Sequence, residues 1–132
     1  MIEFIVWMAN RPGMLASLAE AVGRAGVNIE ALTAVGLDGE GVIRIIPDDA
    51  AAARRALSEA GLSFEERQVL STTLPNQPGE LGRLCRSLAT AGVNIEALYL
   101  LRSNSDDHDL AIAVDKPDTA LPHIPVRGRA SA

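Results

Sequence analysis

The chain has 132 residues and a formal net charge of −5, with 48% apolar and only 3% aromatic residues. The acidic balance and the scatter of Arg24, Arg44, Arg54, Arg55, Arg83 and Arg86 exclude a nucleic-acid surface, which needs a concentrated positive stripe and stacking rings. One cysteine, Cys85, excludes an internal disulfide and any CxxC redox or zinc motif.

The elements follow in chain order. Met1 to Asn10 has no basic region ahead of its apolar run, and that run is too short for a signal or a membrane span. A cytoplasmic protein with no membrane partner is expected. Within the run, Ile2, Phe4, Val6 and Met8 alternate as one face of a strand should. Ile5 and Trp7 point the other way, which suggests a covered second face and a homodimer. Pro12 and Gly13 open a helix with the apolar stripe Leu15, Leu18, Ala19 and Val22, and Gly26 stops it. Val27 to Leu37 reads as a second strand, Asp38 to Gly41 as a hairpin turn, and Val42 to Ile46 as a third strand. Asp48 and Asp49 suit the start of an alanine-rich helix that Gly61 ends. Leu62 to Arg67 is a fourth strand, running almost directly into another at Gln68 to Leu74.

That order, βαββαβ, predicts an α+β fold: a ferredoxin-like antiparallel sheet with both helices on one face. It then repeats. Asn10-Arg11-Pro12-Gly13 returns as Asn76-Gln77-Pro78-Gly79, and Gly26-Val27-Asn28-Ile29-Glu30-Ala31-Leu32 returns unchanged from Gly92 to Leu98. Both matches lie 66 residues apart, and 13 of the 23 positions from 10 to 32 are identical. So dense an identity without a gap is a duplication, giving tandem modules at 1–67 and 68–132. The third strand of the second module, Leu110 to Val114, follows a hairpin two residues longer, which pairs Val42 with Leu110 in the repeat. Beyond it, Pro117, Pro122 and Pro125 leave room for one helical turn at most, Asp118 to Leu121. The second module is therefore truncated after its third strand and ends in a proline-rich tail, whose Arg127 and Arg129 read as solvated. Modules of about 65 residues bury only about 60% of their unfolded surface, so each needs a neighbour.

A shared turn and a shared core strand explain much of the duplicated sequence. Asn10, Asn28, Asn76 and Asn94 are explained less well, because asparagine is a poor strand former. A functional reading starts from the loop after the first strand. Its amides point outward at a helix N-terminus, which suits a carboxylate, and Gly13 lets a ligand approach the backbone closely. The start of the second strand is expected beside that loop, where Asn28 would offer a carbonyl to an ammonium group. Together the two describe a receptor for the α-end of an amino acid.

Asn-x-Pro-Gly, a leucine-rich helix and then Gly-Val-Asn-Ile resemble the ACT domain, a small regulatory module, and the doubled layout is similar to free-standing tandem ACT proteins. The resemblance covers about residues 1 to 115. It implies a regulatory sensor that binds free amino acids where two modules pair. It further implies that the ligand is held by Asn10, Arg11, Pro12, Gly13, Met14 and Leu15 with Asn28 and Ile29. The second set is Asn76, Gln77, Pro78, Gly79, Glu80 and Leu81 with Asn94 and Ile95. No cofactor is implied. The alternative is an ACT-like subunit that has lost its ligand and docks onto a metabolic enzyme.

Paired ACT modules usually join their second strands edge to edge, and the junction at Arg67-Gln68 is too short to let both halves of one chain do so. Either the fourth strand belongs to the other module, or the seam forms between two chains. Cys85 reads as a small core residue, His108 as part of a solvated loop with Asp106, Asp107 and Asp109, and His123 as tail. Glu30 and Glu96 fit solvent-facing strand positions. No catalytic arrangement can be assembled from these residues, so an enzyme is not expected.

Overall fold

The computed structural model describes residues 1–125. The chain divides into two compact units, one spanning Ile2–Arg67 and the other comprising Met1 and the chain from Gln68 onward. Arg127 and Arg129 lie outside the described residues.

The first unit runs β1 (Ile2–Ala9), α1 (Met14–Arg24), β2 (Ile29–Leu37), β3 (Glu40–Pro47), α2 (Ala50–Glu59) and β4 (Ser63–Gln68). Its sheet has the order β2-β3-β1-β4, with β3 antiparallel to both β1 and β2. The fourth strand thus lies in the sheet of its own module, which removes the first of the two alternatives for the junction. Phe4, Val6, Ile43 and Ile45 share one face and pack on Leu18 and Val22 of α1 and on Ala53 and Leu57 of α2. Both helices therefore cover one side of the sheet, as the alternation predicts. Asp38 and Gly39 both have positive φ, 51° and 80°, the signature of a two-residue hairpin turn matched to sheet twist. On the other face, Ile5 and Glu3 are buried, and Arg44 Nη1 donates to Glu3 Oε1 at 3.0 Å. Trp7, on the same face, is 41% exposed.

The second unit runs β5 (Leu70–Pro75), α3 (Glu80–Thr90), β6 (Ile95–Ser103), β7 (Asp107–Val114), the single helical turn α4 (Pro117–Ala120) and a 3₁₀ turn at Leu121–His123. Among the described residues its sheet has three strands, β5-β7-β6. Pro117 is tolerated in the first helical turn, whereas Pro122 cannot extend it. Ala120 and Ile124 enter the core with Leu84, Leu88, Leu110 and Ile112, and the Thr72 hydroxyl donates to the Pro125 carbonyl. The tail thereby closes a core that α2 closes in the first unit.

Three sequence expectations shift. Strand β2 begins at Ile29, not Val27, because the Val27 amide is spent on the Val22 carbonyl in the helix stop at Gly26, whose φ is 75°. In the second unit, Leu110 corresponds to Ile43, not Val42: both oppose the residue two before the penultimate one of their first strands, Thr72 and Val6. The hairpin loop is two residues longer, but a register shift between Leu100 and Arg102 takes one back. Last, the helix stripes are only half covered. Leu18, Val22, Leu84 and Leu88 are buried, Leu15 and Leu81 are 39% and 49% exposed, Ala19 is exposed, and Cys85 is half-buried and not a core residue. Each helix meets its sheet over a narrow arc, and its margin toward the edge strand is bare.

Candidate ligand site

The two β1–α1-type loops are built alike. The Asn10 amide donates to the Gly39 carbonyl at 2.9 Å and the Asn76 amide to the Asp106 carbonyl at 2.8 Å, tying each loop to its hairpin. Arg11 and Gln77 then turn back on the carbonyls of Ala9 and Pro75. Gly13 and Gly79 follow at φ 88° and 90°, a region that side chains with a Cβ rarely enter. Each glycine is the cap of its helix, and neither helix has a capping side chain. The Met14 and Glu80 amides reach back to Arg11 and Gln77, while the next amides of each first turn have no intrahelical acceptor. These ends carry partial positive charge.

Beside each loop lies a cavity. The first, about 130 Å³, opens between Asn10, Arg11 and Met14 on one side and Ala34 and Gly36 of β2 on the other. The second, about 320 Å³, is walled by Leu74, Leu81, Leu98, Leu100 and Leu110, with Glu80 and His108 also on its lining. A Cβ on Gly36 would stand 2.3 Å from Asn10 Nδ2, so the glycine makes room for that amide over the strand. In the second unit, Asn76 instead donates from Nδ2 to the Asn104 carbonyl at 2.7 Å and does not line the cavity. Charge differs too. The first loop carries Arg11, and α1 has no acidic residue in its first turn. Helix α3 has Glu80 there, 3.6 Å from Arg83 Nη1.

Of the residues expected to hold a ligand, Asn10, Arg11, Met14 and Leu15 line the first cavity, and Gln77, Gly79, Glu80 and Leu81 the second. Pro12, Gly13, Asn76 and Pro78 shape the loops without lining them. Asn28, Ile29, Asn94 and Ile95 lie elsewhere, and the expectation that they sit beside the loop of their own module is wrong. Ile29 pairs with Pro47, whereas the loop follows Ala9, which pairs with Glu40 at the other end of β3. Strands β1 and β2 are both antiparallel to β3, so they run the same way. The start of β2 is then on the order of 20 Å from the end of β1. The Asn28 amide and carbonyl are both engaged by Asp48, to Oδ1 and from N, at 3.0 Å each, and Asn94 pairs with Asp115 in the same manner.

Ala34, Gly36, Leu98 and Leu100 were missed as lining residues, being distant in sequence from the loops. The signal was the Asp38-Gly39 turn, which sets Gly36 opposite Gly41 and hence level with Met8 across β3. Among the described residues no cluster of His, Cys, Asp and Glu could hold a metal, and no helix is long and apolar enough to cross a membrane. His108 Nδ1 lies 2.8 Å from Ser103 Oγ, and Asn104 Oδ1 accepts from the amides of Asp106 and Asp107. The resolved titration shifts belong to Arg54 and Glu66, neither of which lines either of these two cavities: the Arg54 hydrogen bond lowers the Glu66 carboxyl, and Glu66 raises Arg54 in return.

A family model described as an ACT domain pair matches residues 1–121. The chain is an ACT domain pair. No curated protein matches it. Among solved structures, this ACT pair is similar to protein BT0572 from Bacteroides thetaiotaomicron, with 24% identity over 92% of this chain and 84% of that one, at a TM-score of 0.84. It is also similar to the ligand-free regulatory subunit of aspartate kinase from Thermus thermophilus, with 16% identity over 92% and 89% of the two chains, at 0.70. A third likeness is to Clostridium acetobutylicum aspartate kinase, with 13% identity over 93% of this ACT pair but 32% of that chain, at 0.61. At these identities the structures speak for the fold, and the family model for membership.

Proposed function

We propose that this ACT pair is a non-catalytic regulatory sensor that binds free amino acids where its modules meet those of a second copy. The observation that carries this reading is a doubled one: a glycine-capped helix start with open amides, set beside a cavity. Such an end favours a carboxylate. The ammonium acceptor comes from the strand start, Asn28 and Ile29 or Asn94 and Ile95, which a single module holds at its far end. Two edge strands that join antiparallel bring the start of one beside the end of the other. Pairing between chains therefore completes each site, and it supports the homodimer. Strands β2 and β6 are sheet edges with exposed Leu32, Leu37 and Leu100, apolar surface that such a seam would bury. The likeness to a regulatory subunit of aspartate kinase supports, as the downstream partner, an enzyme of amino-acid metabolism.

Thermal unfolding with each of the twenty amino acids tests the reading. A ligand at 100 times its Kd should raise stability by about 2.7 kcal/mol. Silence from all twenty with the protein folded overturns the sensor and favours the ligand-free docking subunit. Sedimentation that shows a stable monomer at micromolar concentration overturns the interchain seam.

A further inference from the structure

We infer that the two cavities serve different ligands, and that the second module's cavity takes an amino acid with a branched aliphatic side chain. The inference rests on the sensor reading and deepens it. What carries it is the wall of the cavity. At about 320 Å³ the second space reaches the lower end of the range usual for small-molecule sites, roughly 300–1,000 Å³, and the first, about 130 Å³, falls well short.

The difference has identifiable causes. Leu100 stands where the first module has Ala34, each opposite the equivalent core residue of its third strand, Leu110 and Ile43. With Leu98 and Leu81 it gives the second cavity walls of branched hydrocarbon, and Asn76 is held away by its bond to the hairpin carbonyl of Asn104. In the first module, Asn10 lies over Gly36 and puts its polar amide on the cavity wall. A branched aliphatic side chain in the second cavity removes apolar surface from water on both partners; in the first it would desolvate Asn10 and Arg11. Charge agrees. Glu80 places a carboxylate on the lining of the second cavity, a further ammonium acceptor beside those of the strand start, whereas the first loop offers Arg11. Such a ligand's ammonium lies between Glu80 and the strand start, with its side chain among the leucines.

Calorimetry on the full chain with L-leucine, L-isoleucine, L-valine, glycine and L-aspartate tests this. The wild type is expected to bind the three branched amino acids at least tenfold more tightly than glycine or aspartate at one class of site. Leu100→Trp fills the second cavity and should weaken leucine at least tenfold, while Ala34→Trp, its counterpart, should change leucine affinity less than twofold. Leu100 is 57% exposed, so the variant should fold, and because Leu100 also faces the seam, sedimentation should show the wild-type oligomer; Glu80→Gln, a milder change, should weaken leucine about tenfold with thermal unfolding unchanged. Leucine binding that survives Leu100→Trp and Glu80→Gln, or that is lost in Ala34→Trp, overturns the inference. So does a wild type that binds other amino acids better than branched ones. A wild type that binds none of the twenty overturns the sensor reading itself, a separate result.

Discussion

The two modules share the order and pairing direction of their elements from the first strand to the third and then close their cores by different means. In the first, a ten-residue helix and a fourth strand supply Ala53, Leu57 and the Phe64 ring, which meets Phe4 edge-on at 5.7 Å. In the second, one helical turn and a 3₁₀ turn supply Ala120 and Ile124. The loop, the glycine-capped helix start and the edge strand beside them are retained through that change. The half of the module that carries the cavity is thus separable from the half that seals the core.

Substitutions in equivalent places can break this comparison. Leu57→Ala, at a fully buried position of the first module's second helix, should cost about 2–5 kcal/mol, with Ile124→Ala near the lower end because a short tail can settle into the gap. Urea unfolding midpoints would order the two, and equal costs would show that the tail is as rigid as the helix. Gly13→Val and Gly79→Val each force a branched residue to a positive φ and should cost about 1–3 kcal/mol. Each should abolish binding in its own module alone; calorimetry in which one variant silences both sites would show that the sites are not separable.

Smaller effects follow. Asp49 Oδ1 accepts from the Ala52 amide and caps α2, so Asp49→Ala should cost about 0.5–2 kcal/mol. Its counterpart Lys116 caps nothing and donates instead to the Gly92 carbonyl, and Lys116→Ala should change the unfolding midpoint little. The smallest effect belongs to Glu66, whose carboxyl the Arg54 hydrogen bond holds below its ordinary value. A lowered carboxyl contributes stability above its unfolded-state value and loses it as pH falls through the folded-state value. Glu66→Gln should therefore flatten the acid side of a Tm-versus-pH profile slightly; a profile identical to wild type would mean that the pair is fully screened.

Much of this fold was legible because local signals agreed with the global one. Period-two apolar residues, the Asp38-Gly39 turn and the helix stops at Gly26 and Gly92 each point to the same arrangement. The loops were legible for the same reason, since Gly13 and Gly79 mark backbone that few other residues adopt. What failed was direction. Asn28 looks like a partner for Asn10 in the sequence, and only strand pairing shows that the two sit at opposite ends of one sheet. What Asp48 and Asp115 hold at that end is the backbone of Asn28 and Asn94, a contact that recurs in both modules without using the asparagine side chain. The cavity walls were hidden because Ala34 and Leu100 differ between copies, and a search for repeated residues passes over what has diverged.

The common direction of β1 and β2 has a consequence for how such a protein would respond in solution. If each pocket borrows its second half from another molecule, ligand and protein concentrations enter the binding equilibrium together. Dilution would then lower apparent affinity, and titrations at two protein concentrations would give two different midpoints. A receptor of this kind would report on how much of itself is present as well as on its ligand.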